Sequence, residues 1–251
     1  FDIHTKKKGV VHGVIGVCPT HIMRSPREET HRVVPVESLY LDVGARSDRE
    51  VRRMGISELD PVTFHKDFAI LNKRFVTCRA LDNRAGCTAI LEALSGIKPE
   101  KLNLKVTFAW SVQEEVGMRG ARVLAKNLQP DYVIVVDTAS SADIPGREFH
   151  VAPFRLGGGP LLRAADQGLL ASPFLREIAM KVAKKKRLPC QVAHTGGTTD
   201  GAAIQFEGCH VLPICIPARY THSPVEVIHI DDLRNTVKLL VAIIDELSRC
   251  S

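Results

Sequence analysis

The chain has 251 residues, of which 45% are hydrophobic and 25% are charged, and its formal net charge is +6. These proportions are typical of a globular protein and exclude a disordered chain or a coiled coil. No apolar run reaches the roughly 20 residues that a membrane-spanning helix needs, so we expect no membrane partner.

The positive charge does not predict a nucleic-acid partner. The densest basic runs, residues 6–8 and 184–187, fit a turn and a helix C-terminus, where cations are favourable. With one Trp, three Tyr and nine Phe residues, the chain also has few side chains on which bases could stack. We therefore expect no nucleic acid among its partners.

The seven cysteines favour a reducing compartment. Their number is odd, their spacing is irregular and no C-x-x-C pair occurs, which argues against a disulfide framework and against a zinc ribbon. No secretory signal is visible at the start of the sequence. Buried free thiols and a cytoplasmic location are the expectation.

The first third of the chain has the pattern of a small β domain. Strand-like runs rich in β-branched residues occur at residues 10–17, 34–43, 61–64 and 69–71. A polar surface loop is predicted at residues 24–32. A short helix is predicted at residues 47–54, because Ser47 can cap it and Glu50 follows three residues later. Short strands with turn signals predict a small barrel-like domain, which we place at residues 1–76.

From about residue 77, predicted strands alternate with predicted helices. Helical spacing occurs at residues 83–94, 119–128, 172–186, 199–205 and 231–247. Strand-like runs occur at residues 76–80, 104–110, 132–136, 191–192 and 210–216. This alternation predicts an α/β domain over residues 77–251, with a mixed, mostly parallel sheet flanked by helices.

Acidic side chains and one histidine follow several of these strands. They are Asp82, Glu114, Glu115, Asp137 and His222. Sites in open α/β sheets form beyond the carboxyl ends of the strands, so we expect the five side chains to meet at one edge of the sheet. Alone, each has a simpler interpretation, as a helix cap, a surface pair, a turn cap or a loop histidine. Their coincidence at strand ends favours a site.

Several carboxylates at one edge need a cation to neutralise them. Asp, Glu and His together suit a divalent ion such as Zn, Co or Mn. A carboxylate can also bridge two ions, as in the two-metal sites of aminopeptidases and phosphatases. Successive side chains of an extended segment point apart, so one of Glu114 and Glu115 can bind metal while the other acts as a general base.

A glycine-rich turn offers a candidate substrate site. The sequence T-G-G-T-T-D at residues 195–200 leads into a predicted helix, and such a turn can cradle an anion or a peptide terminus. We therefore assign Gly197 and Thr198, together with Arg219 upstream of His222, as candidate substrate-binding residues.

Several motifs, in order along nearly the whole chain, carry a family resemblance. They are G-V-I-G-V-C-P-T-H at residues 13–21, L-D-V-G-A at 41–45, A-L-D-N-R-A-G-C at 80–87, V-Q-E-E-V-G at 112–117, V-V-D-T at 135–138, T-T-D-G-A-A-I at 198–204 and I-P-A-R-Y-T-H-S-P-V-E-V at 216–227. Together they resemble the tetrahedral-assembly metallo-aminopeptidases, the glutamyl and deblocking aminopeptidases once described as endoglucanases.

The resemblance implies a peptidase with two divalent ions, zinc or cobalt. Asp82 would bridge the ions, Glu115 and His222 would complete one of them, and Asp137 would bind the other. Glu114 would be the general base that activates the bridging water, and peptides with a free N-terminus would be the substrates.

The resemblance also implies an assembly. The family has an α/β catalytic domain, zinc-peptidase-like in fold, with an inserted β domain that mediates dimerisation. Dimers then build a tetrahedral dodecamer. In the family, the catalytic domain begins before the insertion with a strand that supplies a His ligand for the second ion, and this sequence begins inside the insertion. We therefore expect the N-terminal part of the catalytic domain to be absent, and the chain alone to be poorly stable or inactive.

Two other functions stay open from the sequence. A non-catalytic or truncated scaffold subunit would use the β domain for assembly, and its metal content would distinguish it from an enzyme. Glycoside hydrolysis also uses two carboxylates, but these must face each other across a bond at a separation of about 5 Å or more. Adjacent Glu114 and Glu115 are poorly placed for that geometry.

Overall fold

A computed structural model describes residues 1–16 and 33–250, without the side chain of Cys250. The chain forms two compact units, which divide between Lys66 and Asp67. Two predicted features lie outside the described residues. They are the surface loop at residues 24–32 and residues 17–21 of the motif at 13–21.

The first unit is built from short strands. They are β1 (Asp2–Thr5), β2 (Gly9–His12), β3 (Val14–Gly16), β4 (Tyr40–Asp42) and β5 (Val62–Thr63). β1 lies between β2 and β5 with antiparallel pairing on both sides, and β3 pairs with β4. The barrel-like expectation was wrong for the described strands. They form an open three-stranded sheet and a two-stranded ribbon, since β5 pairs only with β1.

The short helix of this unit begins where the sequence predicts. Helix α1 (Asp48–Arg53) follows a 3₁₀ turn at Val36–Ser38 and the strand β4. The Glu50 N–H donates to Ser47 Oγ at 3.3 Å, and the Glu50 carboxylate accepts a bond from the Arg46 N–H at 2.6 Å. These reciprocal bonds satisfy backbone donors that the first turn leaves free.

The second unit contains one seven-stranded sheet. Its strands are β6 (Ala69–Leu71), β7 (Phe75–Cys78), β8 (Tyr132–Ser140), β9 (Leu161–Ala165), β10 (Gln191–His194), β11 (His210–Arg219) and β12 (Glu226–His229). The order is β10-β9-β11-β12-β7-β6, with β8 also paired to β11. The predicted α/β fold with a mixed sheet is confirmed, but the sheet is not mostly parallel as predicted. Among the described strands only the pairs β8–β11 and β9–β10 are parallel, whereas β6–β7, β7–β12, β9–β11 and β11–β12 are antiparallel. Short connections join β6 to β7 and β11 to β12, and such connections favour antiparallel pairing.

The division between the units differs from the predicted boundary. Residues 76 and 77, where we placed it, lie inside β7. Because β6 and β7 form an antiparallel hairpin within the large sheet, both strands belong to the second unit.

The helices of the second unit occur where periodicity predicts them. They are α2 (Leu81–Gly96), α3 (Arg119–Leu128), α4 (Pro173–Lys186), α5 (Gly201–Ile204) and α6 (Ile230–Cys250), with 3₁₀ turns at Pro99–Lys101, Phe149–Val151 and Gln205–Glu207. None of the described helices combines the length and apolar character needed to cross a bilayer.

The strand predicted at residues 104–110 is not formed. This segment has no regular secondary structure, although Leu104 packs against the core. In the described part of the chain β8 pairs only with β11, and this segment forms no ladder of backbone hydrogen bonds with the other edge of β8.

The core of the second unit lies between the sheet and three of its helices. Strand β11 contributes Leu212, Ile214 and Ile216, all with no exposed surface. Helix α2 faces the same core with alanines at residues 85, 89 and 93, whose spacing of four places them on one face. This packing holds α2 against the sheet. Because Asp82 is the second residue of α2, the packing also determines where Asp82 lies.

Candidate metal centre

Three of the predicted ligands meet in the structure. His222 Nε2 lies 3.3 Å from Asp82 Oδ2 and 3.5 Å from Glu115 Oε2, and the ligand atoms of the three residues all lie within 4.8 Å of one another. Asp82 lies in the first turn of α2, Glu115 in the turn before α3, and His222 in the loop between β11 and β12. Asp82 is largely buried and the other two side chains are exposed, so the group opens to solvent on one side.

A buried carboxylate that we did not predict positions two of these ligands. Glu226, at the start of β12, is only 2% exposed. Its Oε2 accepts a hydrogen bond from the Asp82 N–H at 2.9 Å, and its Oε1 accepts one from the His222 N–H at 3.1 Å. The sequence signal was a charge inside the apolar run V-E-V-I, but only the pairing of β12 with β7 shows what that charge binds.

Asp137 lies inside β8, because this strand continues to Ser140 instead of ending at residue 136. Its Oδ1 accepts a hydrogen bond from the Thr138 N–H at 2.7 Å. Burial and the neighbouring Asp82 carboxylate raise the pKa of Asp137 well above its usual value. Asp137 is not a member of the close triad, but it lies near enough to feel the charge of Asp82.

Glu114 has the pKa expected of a general base that works near neutral pH. Burial is the main cause that raises its pKa, to about 7, and the charges of Asp200, Glu115 and Asp82 raise it further, against a lowering by His222. Burial and Asp82 also raise the pKa of Glu115. The pKa values of both glutamates therefore respond to the charges of Asp82 and His222.

The turn that carries these two glutamates depends on a glycine. The Gly120 N–H donates to the Val112 carbonyl at 2.9 Å. A Cβ at residue 120 would lie 2.5 Å from Val112 N and 2.6 Å from Val112 O. The close approach of α3 to the segment before Glu114 therefore requires glycine at this position.

The donor set fits a divalent metal ion. Tetrahedral coordination with bonds of about 2.0–2.1 Å separates neighbouring donor atoms by about 3.3 Å, close to the 3.3 and 3.5 Å found here. Mutual repulsion contributes to the raised pKa values of Glu114, Glu115 and Asp137. A bound cation would reverse this repulsion, so Asp82, Glu115 and His222 could hold one ion, with Asp137 close by.

A second acidic group adjoins Glu114 and was also missed. Ser111 Oγ donates a hydrogen bond to Asp200 Oδ2, whereas Asp200 Oδ1 is buried and accepts no hydrogen bond from residues 1–16 or 33–250. Burial raises the pKa of Asp200, and the bond from Ser111 opposes that rise. Asp200 lies within the motif T-T-D-G-A-A-I, so the signal was present, although no role followed from it.

The candidate substrate residues Gly197 and Thr198 lie in a loop held by a buried arginine. Arg163, only 4% exposed, donates to Thr195 Oγ1, to the Gly196 carbonyl at 2.6 Å and to the Thr198 carbonyl at 3.4 Å. Gly197 has a φ of +72°, and Thr198 Oγ1 is buried with no hydrogen-bond partner among the described residues. Sequence reasoning did not identify Arg163.

Arg219, the third candidate substrate residue, belongs to a different set of contacts. It is the last residue of β11, its Nη2 lies 2.7 Å from Asp143 Oδ2, and its guanidinium lies 5.6 Å above the centre of the Phe75 ring. Its Nε is buried, and no residue in the described part of the chain accepts a hydrogen bond from it. The structure thus brings together Asp82, Glu115 and His222, and leaves Gly197, Thr198 and Arg219 outside that triad.

Known proteins resemble this chain over nearly its whole length. A putative aminopeptidase of Acetivibrio thermocellus is 34% identical over 96% of this chain and 71% of its own length. The lysyl aminopeptidase of Pyrococcus furiosus is 34% identical over 96% of this chain and 68% of its own length.

Solved structures show the same fold. Aminopeptidase APDkam598 from the archaeon Desulfurococcus kamchatkensis has a TM-score of 0.90 at 36% identity, covering 98% of this chain and 68% of that one. The Pyrococcus horikoshii TET1 peptidase, which can assemble into a tetrahedron or a large octahedral shell, has a TM-score of 0.85 at 35% identity, covering 96% of this chain and 70% of that one.

A sequence model of the M42 glutamyl aminopeptidases matches residues 1–239. The family resemblance and the enzyme class predicted from the motifs are confirmed by this match and by the named relatives. The chain belongs to the M42 glutamyl aminopeptidase family of metal-dependent, peptide-hydrolysing enzymes.

Proposed function

We propose that this chain removes the N-terminal residue from peptides, with Asp82, Glu115 and His222 as metal ligands and Glu114 as the general base. The observation that carries the proposal is the joint placement of these groups. Three ligand atoms lie within 4.8 Å of one another, and the adjacent carboxyl has a pKa of about 7. If Glu114 and Glu115 were only a surface pair, neither the convergence of ligand atoms nor the raised pKa of Glu114 would be expected.

The proposed centre would hold two divalent ions, zinc or cobalt. Asp82 would be shared between them, Glu115 and His222 would complete one, and Asp137 would bind the other. The electrostatic coupling between Asp82 and Asp137 supports this sharing, since the two carboxylates are already close enough to repel each other. Bound ions of this kind polarise a scissile carbonyl and lower the pKa of water.

Proton transfer in this proposal belongs to Glu114. Its carboxylate takes a proton from the attacking water and passes it to the leaving amine. Burial is the main cause that raises the pKa of Glu114 while no ion is bound, and this favours a carboxyl that can both accept and release a proton. Glu226 is a positioning residue, because its two oxygens fix the backbones of Asp82 and His222.

Peptide binding is assigned to Gly197, Thr198 and Arg219. Gly197 and Thr198 lie in a glycine-rich turn, and the backbone of such a turn could bind a peptide terminus. Arg163 fixes the loop that carries Gly197 and Thr198, so the site is held rigid before the substrate arrives.

The proposed assembly is a homo-oligomer. In this proposal, the β unit of residues 1–66 mediates dimerisation and the dimers build a tetrahedral dodecamer. The tetrahedron formed by the Pyrococcus horikoshii TET1 peptidase supports this assembly. A cytoplasmic location is proposed on the free thiols of Cys78, Cys87, Cys190, Cys209 and Cys215.

Replacing Glu114 by Gln tests the proposed function. We expect the rate of p-nitroaniline release from amino-acid p-nitroanilides to fall by about 10²–10⁴-fold, because an amide cannot accept the proton. Metal content, measured by elemental analysis, should stay at the wild-type level. Glu92→Gln, at an exposed position of α2, is the matched control and should keep full activity.

Two results would count against this assignment. Full turnover by Glu114→Gln would remove Glu114 from the role of base. A wild-type chain with neither bound metal nor turnover would instead favour a scaffold subunit.

A further inference from the structure

The first unit contains its own group of metal-ligand side chains, remote in sequence from the candidate metal centre. The group consists of Asp2, His12 and His65, whose ligand atoms all lie within 4.8 Å of one another. We propose that these three residues form a separate site for a transition-metal ion, zinc above all, that ties together the strands of this unit.

Strand pairing brings the three residues together. Asp2 on β1 is the direct cross-strand partner of His12 on β2, so their side chains share one face of the sheet. On its other side Asp2 is paired with Thr63 of β5, and His65 follows Thr63 by two residues. Each ligand therefore comes from a different segment of the three-stranded sheet or its continuation.

The distances are close to those of a coordination site. His12 Nδ1 lies 2.9 Å from Asp2 Oδ1, and His65 Nδ1 lies 3.0 Å from Asp2 Oδ1 and 3.1 Å from Asp2 Oδ2. Around a tetrahedral zinc ion, neighbouring donors lie about 3.3 Å apart. Each Nδ1 atom would need to move away from the Asp2 oxygens by only a few tenths of an ångström to admit the ion.

The chemistry of the group selects the class of ion. Two imidazole nitrogens and one carboxylate suit zinc, copper or nickel, whereas magnesium and calcium prefer oxygen ligands. The Asp2 side chain is 13% exposed, while those of His12 and His65 are 72% and 53% exposed. The Asp2 carboxylate is thus held within the sheet, while the two exposed rings leave one side of the group open to solvent.

The arrangement differs from a simple surface ion pair in the number of ligand groups that converge. Two rings direct the same nitrogen, Nδ1, at the Asp2 carboxylate, His12 to Oδ1 and His65 to both oxygens. The exposed pair of His150 and Glu148, 3.4 Å apart, shows the simpler case and serves as the matched control.

Zinc binding to chelator-treated protein tests the site. The protein is dialysed against micromolar zinc, and the ions per chain are counted by elemental analysis. We expect His12→Asn/His65→Asn to bind one ion fewer than the wild type, and His150→Asn to bind the wild-type number. Equal ion counts in the wild type and the double variant, with unchanged circular dichroism spectra, would overturn the proposal.

A measurement on the wild-type chain removes the dependence on variant folding. A metal on Nδ1 leaves the proton on Nε2, so neither nitrogen of the ring can react with diethyl pyrocarbonate. Zinc should therefore protect His12 and His65, but not His150, as read by peptide mass spectrometry. Equal modification of all three with and without zinc would contradict the site. Neither readout uses peptidase activity, so failure here leaves the proposed function untouched.

Discussion

At the scale of single residues, Glu226 supports the candidate metal centre although it is not one of the proposed ligands. It is buried, it is charged, and both of its oxygens accept backbone N–H bonds from candidate ligands. A buried carboxylate is costly unless its lone pairs are satisfied, and here the ligand backbones satisfy them. The same bonds orient Asp82 and His222, so stability and metal affinity depend on one side chain.

Replacing Glu226 by Gln tests whether stability and metal affinity both depend on this side chain. An amide has a single acceptor oxygen, so one of the two backbone N–H groups would lose its partner. We expect a loss of about 1–3 kcal/mol in the free energy of unfolding and a fall in metal affinity of about 10–100-fold. Denaturant unfolding and metal titration of the chelated protein measure the two effects.

The matched control is Glu207→Gln at an exposed position of the 3₁₀ turn Gln205–Glu207. It should change neither quantity. Unaltered metal affinity in Glu226→Gln would show that the two ligands are positioned by other contacts.

At the scale of secondary-structure elements, local signals predicted helices better than strands. Helix α3 has the predicted bounds, and α4 begins one residue after its predicted start at Ser172. A helix closes its hydrogen bonds within one segment, so the sequence of that segment largely decides it. The run at residues 104–110 has strand composition but no partner strand, and β8 extends to Ser140 because β11 pairs with it throughout. Pairing is a property of the tertiary fold, which the sequence does not display.

The same distinction separates the predicted site residues from those that were missed. Asp82, Glu115 and His222 were found because each follows a predicted strand or strand-like run, and the structure brings them together. Glu226, Asp200 and Arg163 each form a hydrogen bond to a residue distant in the sequence. Glu226 and Asp82 are 144 residues apart, Asp200 and Ser111 are 89 apart, and Arg163 and Thr195 are 32 apart. No local pattern reports such bonds.

Helices α4 and α6 are joined by an ion-pair cluster whose strength depends on pH. Glu246 on α6 lies 2.9 Å from Lys181 Nζ on α4 and 3.4 Å from Arg249 Nη1. The hydrogen bond from Lys181 is the main cause that lowers the pKa of Glu246 below its usual 4.5. A carboxyl with a lowered folded-state pKa stabilises the fold above pH 4.5, and that contribution is lost as the pH falls through the lowered value.

The Glu246→Gln variant should therefore have a lower unfolding midpoint than the wild type at neutral pH. The difference should narrow as the pH falls below about 4.5, because the wild-type carboxyl then becomes neutral as well. Thermal unfolding across this range measures it, with Glu177→Gln, exposed on α4, as the control. A difference that is independent of pH would show that packing, not charge, joins the helices.

At the scale of the whole molecule, the second unit combines an apolar core with a group of carboxylates that repel one another. The core residues of β11 and α6, among them Leu212, Ile214, Leu239 and Ile243, are fully buried and favour folding. Burial and mutual repulsion raise the pKa values of Asp137 and Glu114, so these two carboxylates oppose folding while no cation is bound. We therefore expect the stability of this unit to be coupled to metal binding.

Replacing Asp137 by Asn tests this coupling. Asn keeps the size of the side chain and an oxygen for the Thr138 N–H, but it removes one charge from the group. In the presence of a chelator at neutral pH, we expect Asp137→Asn to have a higher unfolding midpoint than the wild type. With saturating zinc the order should reverse, because the wild type binds the metal more tightly and gains more from it. Calorimetric unfolding of both proteins in both conditions measures the four midpoints. If Asp137→Asn is less stable than the wild type in the chelator, charge repulsion at Asp137 does not limit the stability of the metal-free fold.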